Sequence, residues 1–235
     1  DSQRLQADYF RNPQAVFTPQ QLLSYIKNQD PVFPAGTQVA YSNSNTVALG
    51  MVIEQRTGKP IAELLQKQVL MPLGLGQTFF PATSNALPLP HFEGVTIQGA
   101  PSDTLKNATD WNPSWTFTAG AMVSTLDDLR HWAVALGTGE GLVSPAMQEQ
   151  RVASMVSNVP PNTPARTYAL GFGVTNGWVG HTGELPGFNT SIQYDPGTRT
   201  AVVVMVNSDI PAPGPDGRPI NPAPTISDEL IASLR

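Results

Sequence analysis

Cysteine is absent from the 235-residue chain, which removes thiol catalysis, disulfides and thiolate metal sites together. Histidine is scarce: His91, His131 and His181 lie far apart, and none forms an H-E-x-x-H pair. No metal or other cofactor is therefore expected. Charge is sparse as well. Lys and Arg number 13 against 18 Asp and Glu, a net 13 − 18 = −5. No basic run offers itself to nucleic acid or to an anionic membrane surface. The longest wholly apolar stretch, Ala201–Val206, is far too short to span a bilayer.

What is present reads as helices followed by strands. Thr18-Pro19-Gln20-Gln21 combines a cap, a first-position proline and a capping-box glutamine. It predicts a helix carrying Leu22, Leu23 and Ile26 on one face and ending near Asp30-Pro31. A second helix, Thr46–Arg56, is apolar on nearly all sides and is expected to be buried. Gly58 stops it, and a third helix, Ile61–Leu70, is closed by Pro72 and Gly74. Residues 81–118 show no period and read as a long excursion with one or two short strands. Ser124 or Thr125 caps an amphipathic helix ending at Gly137, and Ser144-Pro145 opens another that reaches about Met155. Beyond the Pro-rich loop 160–165, four strands are expected: Tyr168–Val174, Trp178–Thr182, Phe188–Tyr194 and Thr200–Asn207. A looped tail and a helix Ile226–Leu234 close the chain. The architecture is α+β: a mainly helical lobe with a long loop over 1–160, then antiparallel strands and a C-terminal helix over 161–235.

Three short patterns carry chemistry. Tyr41-Ser42-Asn43 ends an extended piece just before a helix. Ala119-Gly120-Ala121-Met122-Val123-Ser124-Thr125 leads into the Asp127-Asp128-Leu129 helix. His181-Thr182-Gly183-Glu184-Leu185-Pro186-Gly187-Phe188 runs from a strand into a Gly-rich turn. Singly, each has a plain structural reading. Tyr41 serves as a half-buried strand residue, Asn43 as a helix cap, His181 as a polar strand end, and Gly183 and Gly187 as turn formers.

Together, in this order, they resemble the penicillin-recognising serine hydrolases, specifically the class C branch of the serine β-lactamases with its D-alanyl-D-alanine carboxypeptidases and esterases. FPAGTQVAYSNSN (Phe33–Asn45), LGMVIEQRTG (Leu49–Gly58), Leu73–Phe80 and Asp195–Asn207 carry the likeness further. It extends over roughly Phe17 to Asn207. The resemblance implies an antiparallel sheet flanked by helices and an acyl-enzyme mechanism on an ester, an amide, or a β-lactam or D-Ala peptide. Tyr41 would shuttle a proton, with its pKa lowered from about 10 by nearby cations. Asn43 would bond the substrate amide. His181, standing where the lactamases carry lysine, would keep a donor beside Tyr41. Thr182 and Gly183 would line the substrate, and the Glu184 backbone N–H would donate to an oxyanion. The substrate would be a small molecule or a peptide. The family also implies a periplasmic, cell-envelope or secreted bacterial location.

Two features depart from that pattern. The family nucleophile is the serine of an S-x-x-K motif that opens a helix. The match here, Ser24-Tyr25-Ile26-Lys27, falls within a helix already begun at Thr18-Pro19, where its N–H is used. The nucleophile is therefore expected to lie upstream of Asp1, on an N-terminal polypeptide, leaving this chain inactive alone. The alternative is a non-catalytic, penicillin-binding-like domain. Secondly, a carboxylate at Glu184 would repel an anionic substrate, which favours neutral esters or amides or substrates bearing an amine.

Overall fold

The computed structural model of the chain describes residues 3–81, 85–101, 104–214 and 217–234. Helix α1 (Gln3–Arg11) buries Tyr9, whose ring stacks on Trp115 at 4.7 Å between centroids and meets Trp111 edge-on at 6.0 Å. Helix α2 (Pro19–Ser24) starts at the expected capping box: Gln21 N donates to Thr18 Oγ1 and Thr18 N to Gln21 Oε1. It ends earlier than expected. Tyr25 and Ile26 donate three residues back, to Leu22 and Leu23, and this tighter winding closes the helix.

Helix α3 (Asn43–Thr57) stops where Gly58 turns left-handed at φ 66°. Val47 and Gly50 are buried, but Leu49 and Val52 remain 57% and 52% exposed. The expectation of near-complete burial is thus corrected. Among the described residues, α2 and the turn at Phe117–Ala119 are the main neighbours of α3. Gly50 permits that close approach, since a Cβ there would lie 2.6 Å from the Thr118 side chain. Helix α4 (Ile61–Leu65) runs through a π turn, Gln66–Leu70, into α5 (Met71–Leu73), capped by Gly74 at φ 68°. Pro72 is therefore not the stop expected of it: it lies inside this helical run, two residues past the π turn, and Gly74 ends it.

The excursion does contain two short strands, β1 (Val95–Thr96) and β2 (Lys106–Asn107), paired antiparallel. Helix α6 (Leu126–Thr138) is capped by Thr125, whose hydroxyl accepts from Asp128 N at 3.3 Å. It runs past Gly137 to Gly139, at φ 78°. Gly137 stays helical because its Cα lies against the Tyr194 ring. Ser144 caps α7 (Pro145–Ala153).

Strands β3 (Arg166–Ala169), β4 (Phe172–Thr175), β5 (Trp178–Leu185), β6 (Phe188–Asp195) and β7 (Thr200–Val206) form an antiparallel meander in chain order. The single strand expected over Tyr168–Val174 is a hairpin, because Gly171 turns the chain at φ 85°. After a small hairpin, β8 (Ala212–Pro213) with β9 (Pro219–Ile220), helix α8 (Pro222–Ser233) returns to the sheet. One core gathers Trp178, Val202 and Val204 under Ala223 and Ile231 of α8. The other gathers Ala169 and Phe172 under Leu136 and Trp132 of α6. The sheet is thus covered by a helix on each face, the α+β architecture expected from the sequence. No helix among the described residues is long and apolar enough to cross a membrane.

Candidate active site

Strand β4 pairs with β5 only through Gly173–Gly180, Val174–Val179 and Thr175–Trp178. From His181 onward β5 therefore has β6 on one side and, among the described residues, no strand on the other. At Gly183 a Cβ would meet nothing within 4 Å, so the strand presents bare backbone at that point. Asn189, only 1% exposed, fastens this stretch from beneath. Its Nδ2 donates to Gly183 O at 3.4 Å, while its Oδ1 accepts from Ala223 N at 2.8 Å. The Pro186-Gly187 turn follows, with Gly187 at φ 86°. Asp209, 3% exposed, accepts from Gly187 N at 2.9 Å and from Thr96 Oγ1 at 3.0 Å. Gln98 Nε2 donates to it as well. The excursion is thereby tied to the turn.

Tyr41, two residues before α3, reaches this edge. Its ring centroid lies 6.0 Å from that of His181 and 5.8 Å from that of Tyr168, to which it stands edge-on. Tyr168 and His181 are bonded directly, Oη to Nε2 at 2.8 Å, and His181 Nδ1 meets Thr182 O at 2.6 Å. Both imidazole nitrogens thus have partners in the chain, and neither partner is Tyr41. That corrects the expectation of a ring donor held out beside Tyr41. Burial raises the Tyr41 phenol above its ordinary value, the opposite of the depression expected from nearby cations. Tyr168 is pushed up to about 12, by burial first and by Tyr41 second.

Asn43 is the first residue of α3, and Ser42 occupies the cap position. Thr182 contributes its carbonyl to His181 and is itself exposed. The Glu184 side chain is held sideways, accepting from Asn221 Nδ2 at 2.7 Å and from Gln98 Nε2 at 3.4 Å. Its carboxyl pKa is raised, by burial first and by Asp209, against the pull of Asn221. A raised carboxyl favours its protonated form in the fold. Its contribution to stability is therefore present at low pH and lost as pH climbs through the ordinary glutamate range to the raised value. Glu184→Gln is expected to raise Tm at about pH 7 and to leave it unchanged at about pH 4, by thermal melts at both. An equal gain at both would show that the carboxyl does not titrate against the fold.

The second sequence pattern proves to be an anchor. Ser124 Oγ meets Thr78 Oγ1 at 2.7 Å, and Asp128, 5% exposed, accepts from Thr78 Oγ1 at 2.7 Å and Gln77 N at 2.8 Å. Ser24 is the last residue of α2, exposed, with its hydroxyl donated to Gln21 O at 2.7 Å. A hydroxyl donated to its own helix must give up that bond before a base can take its proton, and until then it is a poor nucleophile. Tyr168 is the site residue that sequence reasoning missed. The available signal was Gly171, which folds Tyr168 back toward His181 instead of carrying it along one strand.

An antiparallel sheet between helices, with a tyrosine and a histidine converging on an open strand edge, defines the class. The beta-lactamase family model matches residues 2–223, and the chain belongs to that family. It is 28% identical over 190 residues to an unguisins hydrolase of Aspergillus campestris, covering 74% of this chain and 34% of that protein. It is 28% identical over 180 residues to a D-aminopeptidase of Gluconobacter oxydans, covering 74% and 32%. Among solved structures, a D-stereospecific amidohydrolase from Streptomyces sp. superposes with a TM-score of 0.77 at 26% identity, covering 86% of this chain and 60% of that one. The chain thus spans about a third of the length of these curated relatives.

Proposed function

We propose that these residues form part of a serine acyl-transfer hydrolase that cleaves an amide beside a D-amino acid through an acyl-enzyme. The observation that carries this reading is the convergence of Tyr41, Tyr168 and His181 on the open end of β5, with Gly183 bare beside them. A ligand can lie along such an edge as an added strand, with its scissile group next to groups able to move a proton. The names of two relatives, a D-aminopeptidase and a D-stereospecific amidohydrolase, support the choice of substrate. In this reading the nucleophilic serine comes from outside residues 1–235, since Ser24 donates its hydroxyl to Gln21 O. That same observation favours a second reading, in which the chain binds its ligand without turning it over.

Intact mass spectrometry after treatment with a fluorophosphonate probe, joined to hydrolysis of D- and L-alanine amides, tests the proposal. A mass gain on a polypeptide other than this chain, with hydrolysis of the D-amide only, is the expected result. A gain on this chain would place the nucleophile within it and make Ser24 the candidate. No gain anywhere, with no hydrolysis, would leave the ligand-binding reading.

A further inference from the structure

Resting on that proposal, the hydrogen bonds at the edge of β5 assign a role to Tyr168. The Thr182 carbonyl oxygen has no hydrogen to give, so at 2.6 Å from His181 Nδ1 it accepts, and Nδ1 carries the proton. In the neutral ring Nε2 is then a bare lone pair. The atom facing it at 2.8 Å is Tyr168 Oη, which must be the donor. The less common tautomer of imidazole is thereby selected by a backbone carbonyl and satisfied by a phenol, an arrangement in which the partner decides what the histidine can do. Tyr168 Oη keeps lone pairs to spare, and its ring stands edge-on to that of Tyr41 at 5.8 Å.

We infer that Tyr168 is a further catalytic residue, a proton relay through which His181 exchanges protons with the site, His181 itself making no direct contact with substrate. As the attacking hydroxyl, of serine or of water, loses its proton to Tyr168 Oη, the Tyr168 proton departs to His181 Nε2. The ring becomes imidazolium with Nδ1–H still on Thr182 O, and the reverse transfer restores both residues. That reverse transfer hands the proton to the leaving amine. The high phenol pKa of Tyr168, about 12, keeps it protonated between transfers, as a donor to Nε2 has to be.

The test has two readouts. In long-range 1H–15N spectra of the labelled chain, His181 should show a protonated Nδ1 and a hydrogen-bonded, unprotonated Nε2. Tyr168→Phe, which keeps the ring, should move only the Nε2 resonance toward that of an unbonded imine nitrogen, with His91 and His131 as internal references. A protonated Nε2 in the unsubstituted chain, or an Nε2 indifferent to Tyr168→Phe, would overturn the assignment. On protein that takes the fluorophosphonate probe, Tyr168→Phe should lower kcat about tenfold at unchanged KM, and combining it with His181→Asn should cost no more than the worse single change. Additive losses would mean that Tyr168 acts independently of His181, and would overturn the inference. Should His181→Asn leave turnover intact, the proposed hydrolytic role of this site fails, while the nitrogen spectra still judge the pairing itself.

Discussion

Tyr41→Phe is expected to lower turnover by roughly 10²- to 10⁴-fold, the usual worth of a positioned proton-transfer group. KM and Tm should barely move. Tyr41 is 63% exposed and packs on Tyr168 through its ring, which phenylalanine keeps. The measurement is single-substrate kinetics on protein that labels with fluorophosphonate. A kcat within about threefold of the unsubstituted protein would remove Tyr41 from the chemistry. The raised phenol adds a second check. Ultraviolet titration of the chain, taken as the difference from Tyr41→Phe, should place the Tyr41 transition above the usual tyrosine value. No charged side chain contributes to that shift. A transition below the usual value would show that a cation reaches the hydroxyl in solution.

Gly180→Ala should be the most damaging single change in the sheet. A Cβ at Gly180 would fall onto the backbone carbonyl oxygen of Ile192 on β6, with the Ile192 carbonyl carbon 2.9 Å away. A flexible side chain can swing aside, but a strand backbone cannot, and β6 is held on both sides by β5 and β7. The site would suffer with the fold, because His181 is the next residue and its ring must meet Tyr168 within hydrogen-bond range. A loss of about 3 kcal/mol or more is expected, at the upper end of overpacking costs. Urea unfolding would measure it, and Gly183→Ala, where a Cβ meets nothing within 4 Å, serves as the control. Equal midpoints for the two variants would refute the steric argument.

Local chemistry accounts for what was legible in the sequence. The capping box at Thr18, the left-handed stops at Gly58 and Gly74, and the caps at Thr125 and Ser144 all stand where their residue types placed them. Each depends on atoms within a few positions of one another. The strand boundaries went astray at Gly171, and the end of α6 at Gly137, for a shared reason. A glycine can serve a turn or a close approach, and only the partner decides which. At Gly171 there is no close neighbour and the chain turns, whereas at Gly137 the Tyr194 ring fills the space and the helix continues. The convergence of Tyr41 with His181 was reached through the order of the motifs, not through any local rule. Tyr168 escaped because its importance lies in a bond from its hydroxyl across the hairpin to another strand. The apolar flank of α3 was read as core because composition reports what a surface would cover, not what lies upon it.

The fastening of β5 to α8 has a dynamic consequence. Asn189 links Gly183 O to Ala223 N, and Asn221 reaches Glu184. Two successive residues of the open edge are thus held by the first turn of the closing helix and the residue before it. Proteins open locally, in units held together by shared contacts. When α8 lifts, the backbone from Gly183 to Leu185 loses these tethers and is held among the described strands by β6 alone, so its amides should exchange with deuterium in step with those of α8. Whatever clamps or frays that helix thereby sets how long the edge stays ordered enough to hold a ligand.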